Sequence, residues 1–264
     1  MISSSVGYSF FLVSVFVSTY ARLLGTSLFF PVLGGVEASK FTRALLALAP
    51  TALVFPTVLS LVGESAASVS ISTFSCLTVA TRACVEFFLG ASIALILQLF
   101  FNGVYLAGEL VGRVGGVSVV GFFDPTLGED VSPVSRLILW CFWAFFIAFG
   151  GLELFIDGYL KNVVAIVPGA PFSIEETTVR IVKFVASSFE LGFKVAAPMI
   201  ASSATVFFAV GVLGRIAPNF NLTTIGFNLN SLVTLAVLAA VFGGICGFLR
   251  SRFVELLDVM FLTG

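Results

Sequence analysis

Residues 107–130 read AGELVGRVGGVSVVGFFDPTLGED and form the longest interruption in an otherwise almost continuously apolar chain. Glycines recur through the stretch, with one proline, and charges stand at both ends: Glu109 and Arg113 first, then Asp124, Glu129 and Asp130. Between them, residues 114–123 are uncharged and built only of Gly, Val, Ser and Phe. Glycine leaves the backbone conformationally permissive. At membrane depth, irregular backbone survives only where protein or water satisfies its N–H and C=O groups. Two readings follow, a surface loop between two membrane helices or an internal loop at the centre of a conduit, and the rest of the chain has to choose between them.

Composition narrows the class. Of 264 residues, 59% are hydrophobic and 10% charged, with a mean hydropathy of +1.14; soluble domains average roughly 45–50% apolar and about 25% charged. The expected fold is an all-α polytopic membrane protein. Its net charge of −1 offers no basic surface to nucleic acid. Histidine is absent, which removes His-based zinc sites and Ser–His or Cys–His catalysis. No HExxH, GxSxG or P-loop pattern is present, and Gly112-x-x-Gly115-Gly116 has no flanking strand to make it a dinucleotide site. No catalytic residue, metal site or cofactor is expected. Cys76, Cys84, Cys141 and Cys246 form no CxxC pair and read as small core residues.

A hydrocarbon core takes about 20 helical residues to cross, and six apolar segments of suitable length lie near 8–33, 44–62, 82–111, 133–156, 179–213 and 229–249. The N-terminus MISSSVGYSFFLVSVF lacks a basic leader region and is expected to be the first helix, not a removed signal peptide. Pro50 and Pro56 interrupt the second segment. Residues 63–81 are Ser/Thr-rich and read as a loop or a weak helix; 157–178 read as a polar connection, with Ser173-x-x-Glu176 resembling a capping box. The tail from 250 to 264 is amphipathic.

Two features depart from a simple transporter. Placing Arg82, Lys161, Arg250 and Arg252 on the N-terminal side and Lys40, Arg43, Arg113, Arg136 and Arg215 on the other sets four basic residues against five, so charge asymmetry assigns no orientation. Arg22, Glu86, Glu109, Glu190 and Lys194 fall inside apolar helices, where ionisable groups are costly unless they face protein or water. Together with the 31 phenylalanines spread around the helices, this implies a surface that meets other subunits. A small-molecule transporter or channel of the inner membrane is the alternative, although no internal repeat joins the two halves.

Three blocks resemble the FliR/SctT family, the export-gate subunit of flagellar and virulence type III secretion systems. They are Ala107-Gly108-Glu109 with Gly112, Gly116, Ser118 and Asp124-Pro125; Ala197-Pro198 within FKVAAPMI; and Leu213-Gly214-Arg215-x-Ala217-Pro218-x-Phe220-Asn221 followed by Ile225-Gly226-Phe227. The likeness spans nearly the whole chain as a single domain: an N-terminal half (1–111), a central loop (112–133) and a C-terminal half (134–264). Asn219 and Asn228 depart from the family's usual Gln and Pro, and Gly150-Gly151-Leu152 from its Gly-Gly-His. The AGE and IGF blocks lean toward the flagellar branch.

The resemblance implies a structural and gating subunit in the bacterial inner membrane, within a flagellar basal body or injectisome base. It would join FliP/SctR-like and FliQ/SctS-like subunits in a helical assembly through whose centre unfolded export substrates pass, with a FlhB/SctU-like protein at the entrance. It also implies that the central stretch plugs the closed pore. The plug is expected at Gly115, Gly116, Val117, Ser118, Val119, Val120, Gly121, Phe122 and Phe123, with Asp124 and Pro125 fixing its exit. Apolar side chains close a pore by dewetting. Structural or assembly roles are expected for Glu109, Arg113, Pro198, Arg215, Pro218, Asn221 and Gly226.

Overall fold

The computed structural model describes residues 2–30, 39–65, 76–116, 133–165, 174–216 and 222–261. Among these, seven α-helices and no strands are present: α1 (Ile2–Phe29), α2 (Lys40–Ser65), α3 (Cys76–Val114), α4 (Pro133–Ala148), α5 (Gly151–Ala165), α6 (Ile174–Ile216) and α7 (Leu222–Phe261). Five are long and apolar enough to cross a membrane, and α4 and α5 pass that test only as a pair. The protein is an all-α membrane protein.

Three expected boundaries move. The fourth apolar segment is not one helix to 156: it breaks after Ala148, where Gly150 takes φ +78° and its N–H turns back to the Ile147 carbonyl at 3.1 Å. Only glycine enters that region without strain. The polar connection expected from 157 is helical as far as Ala165, with Asp157 and Lys161 paired at 2.7 Å one turn apart on its exposed side. The amphipathic tail continues α7 to Phe261. Ser173 lies outside the described residues, as do 66–75 of the Ser/Thr-rich stretch. Helices α3, α6 and α7 hold 39, 43 and 40 residues. At 1.5 Å per residue they run about 58, 64 and 60 Å, roughly twice a hydrocarbon core of about 30 Å.

Several of the hydroxyls that dot these helices bond a carbonyl three or four residues back in their own helix, as apolar surroundings favour. Thr19 donates to the Val15 carbonyl at 2.8 Å, Thr51 to Ala47 at 2.6 Å, Ser92 to Leu89 at 2.7 Å and Ser202 to Met199 at 2.9 Å. Pro50, Pro56 and Pro198 each remove one backbone donor, yet α2 and α6 run on through them.

The chain forms two compact units. The first comprises 1–98, 151–183 and 256–264. Here α1 and α2 make a hairpin: Ser39 caps α2 by accepting the Thr42 N–H at 3.2 Å, and Arg43 Nη1 reaches across to the Leu28 carbonyl at 2.8 Å. Tyr20 OH donates to the Ala44 carbonyl at 3.3 Å. α1 meets α3 at glycines: a Cβ on Gly90 would strike the Arg22 carbonyl, and one on Gly25 the Phe87 carbonyl. Small residues let the two backbones touch, as at membrane helix contacts generally. Beside them the buried Arg22 and Glu86 bind each other at 2.6 Å. Their neighbours are thus the chain's own helices, which corrects the expectation that such buried charges meet other subunits.

The second unit comprises 99–150 and 184–255. Its core is aromatic: Phe100, Phe101, Phe142, Trp143, Phe146 and Phe253 are all buried. Phe101 stacks on Trp143 with centroids 4.1 Å apart, and Phe253 meets Phe146 edge-on at 4.9 Å. Part of the phenylalanine that looked evenly spread along the sequence is gathered here. Gly103 brings α3 against α6, a Cβ there lying 2.7 Å from the Ser188 carbonyl.

Candidate functional site: the two roots of the central segment

Of the expected plug, residues 117–125 lie outside the described residues, as do Pro218 and Asn221. The structure does describe where the chain leaves α3 and where it enters α4, and both places belong to the second unit. The departure is a left-handed helix end. Gly115 N–H bonds the Val111 carbonyl at 2.8 Å, Gly116 N–H the Arg113 carbonyl at 3.3 Å, and Gly116 takes φ +74°. Helices commonly end this way, on a glycine that needs no Cβ.

A helix end leaves its last carbonyls without intrahelical donors. Here α7 supplies them. Asn230 Nδ2 donates to the Val114 carbonyl at 2.7 Å, and Ser231 Oγ to the Gly115 carbonyl at 2.9 Å. One turn on, Thr234 and Ser203 of α6 share a buried hydrogen bond at 3.1 Å. Asn230 is 0% exposed, and its Oδ1 has no hydrogen-bond partner. The contact is close because both glycines lack side chains: a Cβ on Gly115 would lie 2.9 Å from Thr234 Cγ2, and one on Gly116 3.2 Å from the Phe227 ring. Neutral hydrogen bonds of this kind contribute about 1 kcal/mol each, net.

The return is pinned to the same helix. Pro133 opens α4, where its missing N–H costs nothing. Two residues on, Ser135 Oγ donates to Glu109 Oε1 at 2.6 Å, and the Ser135 Cα would lie 2.5 Å from a Cβ on Gly108. Glu109 also accepts from Arg113 Nε at 3.3 Å. Glu109 and Arg113 are therefore brought together with the start of α4.

The other residues singled out by sequence are dispersed. Pro198 is half-buried inside α6, Arg215 is exposed in its last turn, and Gly226 is buried where a Cβ would meet the Val210 side chain at 3.0 Å. Sequence reading passed over Ser135, Ser203, Asn230, Ser231 and Thr234. The signal available for Asn230 was its place as an amide within an apolar membrane-length run, where polar side chains are costly without a partner. No group of His, Cys, Asp and Glu able to hold a metal occurs among the described residues.

Residues 13–256 match the family described as bacterial export proteins, family 1. The chain is similar to the flagellar biosynthetic protein FliR of Aquifex aeolicus, 28% identical over 229 residues, covering 86% of this chain and 84% of the relative. It is also similar to the proteins of that name from Pectobacterium carotovorum, 26% identical over 179 residues (66% and 67% covered), and Escherichia coli, 26% over 177 residues (66% and 67%).

Proposed function

This chain belongs to family 1 of the bacterial export proteins, a membrane subunit of the flagellar export apparatus, and from that premise we propose that it builds and gates the export pore. With FliP-like and FliQ-like subunits it forms the central conduit for unfolded substrates in the inner membrane, and a FlhB-like protein meets its entrance. Residues 115–123 are the plug, with Asp124 and Pro125 fixing its exit.

One observation supports this reading above the others. The central segment leaves α3 at a glycine end bound by α7, and it returns at Ser135, which is bound to Glu109 only two turns earlier on α3. Both ends of the excursion are thus rooted on one helix, and what lies between is Gly, Val, Ser and Phe without charge up to Asp124. Such a segment blocks ions by dewetting, while its glycines let it move aside for a chain.

The test has two arms. Co-expression with FliP-like and FliQ-like proteins, followed by mass determination in mild detergent, is expected to yield one large complex containing this chain; a lone monomer or homodimer sinks the assembly. Deleting residues 117–121 is expected to make that complex conduct ions in planar bilayers, and unchanged conductance sinks the plug.

A further inference from the structure

We infer that Asn230 and Ser231 of α7 form a latch on the C-terminal turn of α3, closed at rest and released when the pore opens. The inference rests on the plug reading, and goes beyond it by naming what holds the plug's root and by what chemistry.

Two observations carry it. The first is the kind of bond. The core of the second unit is built of buried apolar side chains, the stacked rings among them, and separating those would expose apolar area. At the end of α3 the grip is instead two neutral side-chain donors on two main-chain carbonyls, Asn230 on Val114 and Ser231 on Gly115. Such bonds are exchanged for others at little net change in free energy. They act on the last turn before Gly115 and Gly116, the residues whose missing Cβ atoms let α3 approach α7 so closely. A helix end grasped by its carbonyls beside a pair of glycines can be let go without disturbing the core.

The second observation is the unpartnered Asn230 Oδ1. It is buried and accepts no hydrogen bond, although buried polar atoms are nearly always paired. The amide is half-used in the closed state. An amide that lets go of Val114 keeps a donor for another carbonyl of the same helix end and an acceptor for a new donor, so the latch has a second arrangement available. Thr234 stays tied to Ser203 of α6, which keeps the α7 side fixed while α3 moves.

Two variants of the full chain, assembled with its partners, test this. Asn230→Leu keeps the volume and removes the donor. Resting conductance of the complex is expected to rise by roughly tenfold, the scale of one lost net hydrogen bond or a little more, without loss of assembly. The deletion of residues 117–121 is recorded alongside. A tight Asn230→Leu complex beside a leaky deletion overturns the latch and leaves the plug standing. If both are tight, the plug reading fails and the latch falls with it.

The second variant reads motion directly. A Cβ on Gly115 would lie 3.3 Å from that of Thr234, just under the separation bridged by a disulfide. Gly115→Cys with Thr234→Cys, in a background cleared of Cys76, Cys84, Cys141 and Cys246, is oxidised and then reduced. Export is expected to stop on oxidation and to return on reduction, with neither single cysteine responding. Full export with the disulfide formed overturns the latch. If the reduced pair does not export, the Asn230→Leu recording decides.

Discussion

Arg22 Nε of α1 donates to Glu86 Oε2 of α3 across 2.6 Å, and each side chain is 2% exposed. Sixty-four residues separate them in sequence, yet the contact is the polar centre of the first unit. Around it Thr26 donates to the Gly90 carbonyl at 3.2 Å, one helical turn from each charge. Removing one member leaves an uncompensated buried charge, which costs about 3–5 kcal/mol, whereas an apolar pair of similar volume is often neutral. Arg22→Met and Glu86→Met are each expected to lower the yield and the melting temperature of the detergent-purified chain sharply. The double variant is expected to recover most of the loss. A thermal-shift double-mutant cycle measures this, and a double variant as poor as the sum of the singles refutes it.

The glycines divide into two classes that the sequence cannot distinguish. A Cβ on Gly90 meets main-chain atoms of α1, which cannot swing away, while Gly243, Gly244 and Gly247 of α7 have nothing within 4 Å of theirs. Gly90→Ala is expected to destabilise the chain by about 1–3 kcal/mol through overpacking. Gly244→Ala is expected to leave it unchanged or to stabilise it by up to about 1 kcal/mol through helix propensity. Parallel melting curves of the two purified variants check the contrast, and equal shifts of the same sign refute it.

Much of this fold is legible because hydrophobic runs of membrane length admit few structures other than helices. The six runs locate α1, α2, α3, α4, α6 and α7, although α7 continues well past the end of its run. What escapes is whatever depends on a single residue's backbone or on distance in sequence. The break at Gly150 needs its φ of +78°, and nothing in GG marks which glycine turns. α5 reads as a connection because Asp157, Lys161 and Asn162 look like loop residues, yet the two charges pair along one helix face and Asn162 is buried. The partner of Arg22 could not be named because no periodicity links positions 22 and 86. At the candidate site, Glu109 and Gly116 stand out in sequence; Ser135, Asn230 and Ser231 do not, because a serine or an asparagine acquires its role only from the helix end it faces.

The aromatic core gives a spectroscopic prediction. Phe253 touches Phe100, Phe146 and Phe149 with centroids 5.6, 4.9 and 6.0 Å away and is fully buried. Phe253→Ala opens a cavity among them and is expected to cost about 3–5 kcal/mol. Trp143 stacks on Phe101 in the same cluster, whereas Trp140 is exposed. Tryptophan emission is therefore expected to shift to longer wavelength at a lower temperature in Phe253→Ala than in the parent. An unchanged transition would mean that the cluster does not hold the unit together.

Ser135 and Glu109 set the return of the central segment. Ser135→Ala leaves Glu109 with one fewer donor, and a hydrogen bond to a charged group contributes about 1.5–3 kcal/mol. The first turn of α4 is expected to lose protection in hydrogen–deuterium exchange, by a factor on the order of ten or more, with α6 unaffected. Glu109→Gln, which still accepts a hydrogen bond from the serine, is expected to lose less. Protection in Ser135→Ala equal to the parent would detach the α4 start from this contact.

Gly116 separates backbone strain from crowding. Any side chain there puts a Cβ 3.2 Å from Cδ1 of Phe227, a ring edge that can rotate by the few tenths of an ångström required. The φ of +74° is a different matter. Asparagine visits this region with modest difficulty, while a β-branched residue is a true outlier there, at about 1–2 kcal/mol. Gly116→Asn and Gly116→Val therefore present the same contact and different strain. Gly116→Val is expected to fray the end of α3, loosen the hydrogen bonds from Asn230 and Ser231, and raise the resting conductance of the assembled complex; Gly116→Asn is expected to stay close to the parent. If crowding against Phe227 governs instead, the two variants will leak alike, and shrinking the ring with Phe227→Leu will restore both. If the helix end is indifferent to its conformation, neither will leak, and the left-handed turn at Gly116 has no part in holding the segment that follows.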